Sequence, residues 1–334
     1  MSNGARLEKK GASKWTYTAL TEIGVEFEEE CIPLRHFKNA FNERLRNADD
    51  LVRRKNIIMS ETDYNLSWNY KVPLKTRKRQ EQIRTIIQDL GKLNGAAAIT
   101  ENGEEATRGH EIERDSEEYI RWKTNLKEFF KGLWVILHRS GKPGAGVYTK
   151  LFDAFSRIVC LYPEPGNMYR RGIMIGGKEI NEEATVRFET LPLFMESNSS
   201  DDSTPATLDY EPKLLLVTQV TTYDSFRYSW KPGQKFEQKH MASKVKGQHG
   251  IQLLIEIERS LFRRKVFGCI CIGTYIIITQ LEVNKRYAQE LRDGKIQNPV
   301  KVKFSQPYDF LKEVDRKKIM DFLILISCVQ SKHE

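Results

Sequence analysis

The chain has no apolar run long enough to cross a bilayer. A membrane helix needs about 20 consecutive apolar residues, and the most apolar stretch, VFGCICIGTYIIITQL, covers only residues 266–281. That stretch is rich in β-branched and aromatic residues and is interrupted by glycine. It therefore predicts a buried β-hairpin, and we expect no membrane-spanning segment and no membrane partner.

The first residues lack the apolar core of a secretion signal, and cysteine is scarce. The five cysteines are odd in number and scattered along the chain, which predicts an intracellular protein with free thiols, nuclear or cytoplasmic. Cys269 and Cys271 lie two residues apart in a strand pattern, so both point to one face. No second ligand pair is spaced to complete a zinc site, and we expect both thiols in the core.

Motifs of several enzyme classes are missing. No glycine-rich phosphate loop is followed by Lys-Ser or Lys-Thr, and neither GxSxG nor HExxH occurs. The glycine loop and the catalytic loop of protein kinases are absent as well. These absences argue against a P-loop nucleotidase, an α/β-hydrolase, a zinc protease and a kinase.

The composition is that of a folded protein with a basic excess. Hydrophobic residues make up 40% and charged residues 30%, and the net charge is +9, which is compatible with a polyanionic partner. The small, polar and aperiodic stretch 94–117 predicts a linker or long loop. It separates a basic helical N-terminal region, 1–93, from an α/β domain, 118–334. Within the former, apolar spacing predicts one helix over 34–56.

The elements of the second half follow one another in a clear order. They are a strand (184–196), an acidic loop (197–212), a second strand (213–224), a basic connector (230–247), a helix (249–264), the hairpin and a closing amphipathic helix (315–330). This order predicts an α/β (α+β) fold in which a mixed central sheet is flanked by helices and preceded by the helical N-terminal region.

The order resembles the restriction-endonuclease-like, PD-(D/E)XK, architecture over Val147 to Ser327. More narrowly, it is similar to the version in Crinkler-type effectors and in the domain that precedes fungal-type protein kinases. In that family one strand carries a proline-aspartate pair, and the next ends with an acidic residue, a spacer and a lysine. The resemblance implies a metal-dependent nuclease in which carboxylates hold Mg²⁺ or Mn²⁺.

Only some family positions carry over to this chain. The resemblance places Glu189 at the aspartate position, as catalytic residue and metal ligand, with Phe188 in place of the proline. It places Gln219 and Thr221 at the acidic and lysine positions, and Gln252 as the polar residue of the following helix. Glutamine binds metal weakly and threonine carries no positive charge, so we expect impaired catalysis. The alternative for Gln252 is an ordinary exposed helix position.

Two alternatives bear on the missing lysine. The triplet Glu211-Pro212-Lys213 spells the motif, but it precedes its strand, and Pro212 cannot donate to a central ladder. We treat it as coincidence. A lysine moved toward the next helix is the second alternative. The candidates are Lys235, Lys239, Lys244 and Lys246.

Basic residues gather in and after the connector. Nine of them oppose three acidic residues, and aromatic residues such as Trp230 are interleaved. The nine are Lys231, Lys235, Lys239, Lys244, Lys246, Arg259, Arg263, Arg264 and Lys265. Such a mixture suits phosphate contact and base stacking, so we predict that these residues bind nucleic acid. The alternative, a solvated helix face screened by the acidic loop, stays open.

Three functions follow from these patterns. The first is a divergent, catalytically impaired nuclease-fold protein that binds nucleic acid. The second is an active Mg²⁺- or Mn²⁺-dependent nuclease with a relocated lysine. The third is an interaction or effector module whose N-terminal helices dock a protein partner, because a fold alone does not establish an activity.

Overall fold

The fold of this chain was analysed in a computed structural model. It describes residues 15–45, 48–61, 77–96, 117–138, 142–165, 171–182, 184–191, 212–226, 230–231 and 233–331. The helices are α1 (Tyr17–Glu22), α2 (Leu34–Asn42), α3 (Ala48–Glu61), α4 (Arg77–Ala96), α5 (Glu117–His138), α6 (Ala145–Ile158), α7 (Ser243–Ile255), α8 (Lys285–Asp293) and α9 (Glu313–Gln330). The strands are β1 (Val25–Phe27), β2 (Glu164–Pro165), β3 (Arg171–Ile175), β4 (Lys178–Glu182), β5 (Val186–Glu189), β6 (Leu214–Thr221), β7 (Lys265–Ile272), β8 (Tyr275–Glu282), β9 (Val300–Phe304) and β10 (Tyr308–Asp309).

A mixed central sheet flanked by helices confirms the predicted fold class. Among the described residues the strand order is β1-β9-β8-β7-β6-β5-β2, and β10 also pairs with β8. The pairs β1–β9 and β6–β7 are parallel, whereas β5–β6, β7–β8 and β8–β9 are antiparallel. The predicted hairpin is β7–β8, and it turns at Gly273, whose φ of +64° suits glycine. Strands β3 and β4 form a separate hairpin.

Side-chain alternation along β7 divides the core into two layers. Phe267 faces α2, where its ring lies 4.8 Å from that of Phe41, and Cys269 and Cys271 follow on the same face. Both cysteines are fully buried, as predicted. Ile270 alternates with them and is also fully buried. Each fully buried branched side chain contributes about 2 kcal/mol relative to exposure, so the strand is stabilised from both faces.

The N-terminal region contributes to this core. Strand β1 joins the sheet edge beside β9, and α1 lies against α7 at two glycines. A Cβ on Gly247 would lie 2.3 Å from the carbonyl carbon of Thr16, and one on Gly250 would lie 2.3 Å from Leu20. The helix predicted over 34–56 is in fact two helices, α2 and α3. The linker predicted over 94–117 lies outside the described residues, apart from the ends of α4 and α5.

The helix predicted over 249–264 has different limits. It begins earlier, at Ser243 inside the predicted connector, and ends at Ile255. Beyond it the chain turns so that Phe262 is buried, with its ring 4.6 Å from that of Phe41. Arg263 and Arg264 then adopt a left-handed backbone, each with φ of +43°. We call residues 257–264 the turn segment. Arg259 ends a short 3-10 helix, Ile257–Arg259. Arg263 and Arg264 do not lie on a helix, so the prediction of one helix over 249–264 was wrong.

Candidate nucleic-acid interface

The two strand positions taken from the nuclease resemblance lie in one sheet but at opposite ends of their pairing. Glu189 pairs with Leu214, whereas Val186 pairs with Thr218, the residue before Gln219. Because a strand rises about 3.4 Å per residue, the five positions from Leu214 to Gln219 span about 17 Å. One metal ion cannot contact both Glu189 and Gln219 across that distance.

Each of these residues has a local neighbour in the fold. The carbonyl of the buried Glu189 accepts a hydrogen bond from Gln330 Nε2 of α9 at 2.9 Å. Gln219 Nε2 donates to Gln248 Oε1 of α7 at 3.0 Å. Thr221 Oγ1 lies 2.7 Å from the Ser225 hydroxyl, just beyond the end of β6. These contacts fasten the sheet to its surroundings, and they do not converge on a common point.

Within the described ranges, the strand positions that the resemblance assigns to a divalent-metal site do not come together. Among them no group of three or more His, Cys, Asp or Glu side chains is close enough to hold an ion. Residues 192–211, which include Glu196 and Asp209, lie outside the described residues. We therefore derive no hydrolytic step through Mg²⁺ or Mn²⁺.

The polar residues of α7 face the sheet and form a buried stripe. His249 Nε2 lies 2.7 Å from Thr279 Oγ1 of β8, and burial lowers the pKa of His249 to about 3. One turn on, Gln252 is 4% exposed, so the interpretation as an exposed helix position is wrong. Glu256 follows at the end of the helix and pairs with Arg187 of β5. The His249–Thr279 contact and the Arg187–Glu256 pair fix how this helix sits on the sheet.

The connector lysines, from Lys231 to Lys246, are largely engaged within the protein. Lys235 Nζ lies 2.5 Å from Glu30 Oε1, and Lys239 Nζ lies 2.5 Å from Glu237 Oε2. Lys246 is buried, with its Nζ 3.9 Å from the centroid of the Tyr17 ring. Lys235 and Lys239 remain exposed in these pairs, and Lys231 and Lys244 are exposed as well. Of the five connector lysines, Lys246 is therefore the one that a partner cannot reach.

The remaining four predicted basic residues lie past the other end of α7, about 20 Å along the helix axis from Lys244. Arg259 donates to the Pro212 carbonyl at 3.4 Å, and Lys265 lies 3.7 Å from Glu282. Arg263 and Arg264 are exposed. Among the described residues neither guanidinium has a carboxylate partner. The nine residues thus form two separate groups, and the second group holds the two unpaired arginines.

A cavity of about 760 Å³ brings these arginines together with cations from elsewhere in the chain. It lies between the turn segment and α8, and we call it the basic cavity. Its cationic lining residues are Lys213, Arg263, Arg264, Lys285 and Arg292. Among the described residues, Glu258 is the one carboxylate in the lining, and it pairs with Arg292 at 3.2 Å. A concave site with such an excess of one sign concentrates a positive potential.

Sequence reasoning missed three of the five cations, Lys213, Lys285 and Arg292. Lys285 and Arg292 lie seven residues apart, on one face of α8, and that spacing was the available signal. Lys213 belongs to the triplet that we treated as coincidence, and its place beside α8 depends on strand packing. No signal in the sequence joins it to the other two.

The comparisons with known proteins give no assignment. No protein-family model matches the chain, and no curated protein matches its sequence. Of the described helices, none combines the length and the apolar character needed to cross a membrane.

Proposed function

We propose that this protein binds nucleic acid at the basic cavity. The observation that carries the proposal is the cavity lining, in which the structure describes five cationic side chains and one carboxylate. Phosphate groups are the ligands that such a lining attracts, because each contact releases counterions from the polyanion. The guanidinium groups of Arg263 and Arg264 also suit bidentate contact with phosphate oxygens.

The proposed role is binding without cleavage. Gln219 is held by Gln248, Thr221 lies against Ser225, and Glu189 is about 17 Å from Gln219 along the strand pair. The nuclease-like sheet then serves as the scaffold that holds α7, the turn segment and α8. Incubation of labelled DNA and RNA with the protein and Mg²⁺ or Mn²⁺ tests this point. Cleavage that disappears in Glu189→Ala would instead support the active nuclease.

A salt titration of binding tests the proposal itself. We expect the double variant Arg263→Glu/Arg264→Glu to lower the affinity for a labelled oligonucleotide by about tenfold or more at moderate salt. The slope of log affinity against log salt should fall by about 1 for each phosphate contact that is lost. The matched control is Lys235→Glu/Lys239→Glu, which changes the net charge equally but reverses lysines that are already paired with Glu30 and Glu237.

Two results would contradict the proposal. Unchanged affinity in the arginine variant would remove the basic cavity as the binding site. Equal loss in both double variants would show that net charge alone governs binding. Thermal unfolding of each variant verifies that it is folded before affinities are compared.

A further inference from the structure

The lining of the basic cavity contains cationic side chains, which we call the rim, and apolar side chains, which we call the floor. The cations lie beside a set of apolar side chains contributed by the turn segment, by the end of β8 and by α8. These apolar residues are Ile257, Leu261, Val283 and Ala288. A phosphate alone needs only the rim. The floor points to a ligand that also carries an uncharged, flat group.

The volume of the cavity limits what enters it. About 760 Å³ lies in the range of sites that enclose one small molecule, roughly 300–1,000 Å³. A duplex keeps its bases stacked inside and presents phosphates outside, so its bases cannot reach an apolar floor without leaving the stack. An unpaired nucleotide has both groups available, with the base for the floor and the phosphate for the rim.

Two amide side chains supply polar groups beside the floor. Asn284 Oδ1 accepts the Tyr287 backbone N–H at 2.7 Å, which leaves its Nδ2 as a donor. Gln289 Nε2 donates to Asp293 Oδ1 at 3.0 Å, which leaves its Oε1 as an acceptor. One donor and one acceptor are the groups needed to contact the exposed edge of a base.

We infer that the basic cavity takes one unpaired nucleotide of a single strand, with the base on the apolar floor and its phosphate at Arg263 and Arg264. This inference rests on the proposed function and adds a preference for single strands over duplexes. The other cations of the lining then contact the neighbouring phosphates of the same strand. A free nucleotide monophosphate shares this chemistry, so the test includes it as a separate arm.

The experiment compares a labelled single strand of about 12 nucleotides with the duplex of the same sequence and length. We expect the single strand to bind about tenfold more tightly. Thymidine monophosphate should compete for the cavity at lower concentration than inorganic pyrophosphate, which carries charge without a base. Direct titration with thymidine monophosphate shows whether a free nucleotide binds to the protein without the rest of a strand.

Variants of the floor separate the contribution of the base to binding from that of the phosphate. Ala288→Phe fills the floor and leaves all five cations, so the preference for the single strand should disappear while salt-dependent binding persists. Val314→Phe is the control, because it adds the same ring at an exposed position that does not line the cavity, and it should keep the preference. Ile257→Trp fills the cavity from the turn segment and gives an independent result if Ala288→Phe does not fold.

The outcomes distinguish this inference from the proposed function. Equal affinity for single strand and duplex, still dependent on Arg263 and Arg264, would overturn the inference and leave the proposed function standing. Failure of thymidine monophosphate to outcompete pyrophosphate would also overturn it. Absence of binding to every nucleic acid would overturn the proposed function together with the inference.

Discussion

Arg187 and Glu256 join strand β5 to the end of α7 through an ion pair that is closed to water. Arg187 Nη2 lies 2.5 Å from Glu256 Oε1, and Nε of the same arginine donates to that oxygen at 2.6 Å. Each side chain is 1% exposed. Because the turn segment starts directly after Glu256, this pair fixes where the segment departs from the sheet. It thereby supports the position of Arg263 and Arg264 in the basic cavity.

Removal of one partner should be costly. Glu256→Gln leaves a buried guanidinium without its counter-charge, and we expect the free energy of unfolding to fall by about 3–5 kcal/mol. The double variant Arg187→Met/Glu256→Leu removes both charges and should recover most of that loss. Urea denaturation measures both changes. The exposed pair of Glu128 and Lys131 is the control, because Glu128→Gln should change stability by less than about 1 kcal/mol.

Two lysines of α7 should respond in opposite ways to charge reversal. Lys246 is buried against the face of Tyr17 and donates to Gln238 at 3.2 Å. In Lys246→Glu the carboxylate would be buried against the negative face of that ring, and we expect a loss of about 3–5 kcal/mol. Lys244 is exposed in the first turn of the same helix. Lys244→Glu should be neutral or stabilising by up to about 1 kcal/mol, since an acidic residue there favours the helix dipole.

Thermal unfolding of the two lysine variants decides this prediction. A stable Lys246→Glu protein would contradict the buried position of that side chain. It would also return Lys246 to the candidate binding surface.

The sequence predicted best those elements whose signal is local. The alternation along 266–281, with glycine at its centre, was sufficient to predict the hairpin of β7 and β8. The apolar run after Lys213 likewise predicted β6. The burial of Cys269 and Cys271 was also predicted correctly, because free cysteine is among the residue types that are most often buried.

The parts that were missed depend on contacts between distant residues. The end of α7 at Ile255 is set by burial of Phe262 against Phe41, which lies more than two hundred residues earlier in the chain. The separation of Glu189 from Gln219 depends on strand direction and register, which neither strand specifies alone. Assembly of the basic cavity requires β6 and α8 to pack beside the turn segment. No short motif encodes that packing.

The left-handed arginines give a prediction in which stability and binding change in opposite directions. Arg263 and Arg264 each have φ of +43°, a conformation that costs a non-glycine residue about 1–2 kcal/mol and that asparagine tolerates better. Arg264→Asn should therefore raise the free energy of unfolding by up to about 1 kcal/mol while it weakens nucleic-acid binding. Chemical denaturation and the binding titration are to be run on the same preparation.

Arg292→Asn is the matched control for that variant. It removes one charge from the same cavity, but Arg292 is helical and pairs with Glu258. Its loss should lower stability by about 0.5–1 kcal/mol. If Arg264→Asn lowers the free energy of unfolding as much as Arg292→Asn does, the left-handed backbone at Arg264 does not destabilise the wild-type protein.

The pH dependence of stability should be shaped by two buried groups with opposite effects. Burial lowers the pKa of His249 from its ordinary value of 6.5 to about 3. Below pH 6.5 the unfolded chain binds a proton that the folded protein does not, so stability is lost as the pH falls toward 3. Burial raises the pKa of Asp309 from 3.8 to about 7. Between these values the folded protein keeps a proton that the unfolded chain has lost. The stabilisation by Asp309 is therefore complete below pH 3.8 and is lost as the pH rises through 7.

His249 and Asp309 change the free energy of unfolding with pH by equal and opposite slopes where their titration ranges overlap, between about pH 4 and 6.5. Each slope is about 1.4 kcal/mol per pH unit, so in the wild-type protein they cancel. His249→Gln keeps a polar group beside Thr279 and removes one slope. Relative to wild type, its free energy of unfolding should fall as the pH rises from 4 to 6.5. Asp309→Asn should show the reverse.

Urea denaturation at several pH values tests this compensation. The double variant His249→Gln/Asp309→Asn should follow the wild-type profile in shape, because both slopes are removed together. His249 contacts Thr279 and Asp309 contacts Thr274, five residues apart and about 17 Å along a strand, so their effects should add. If the single variants run parallel to wild type across this range, then neither residue carries the pKa shift that its burial produces, and the compensation does not exist.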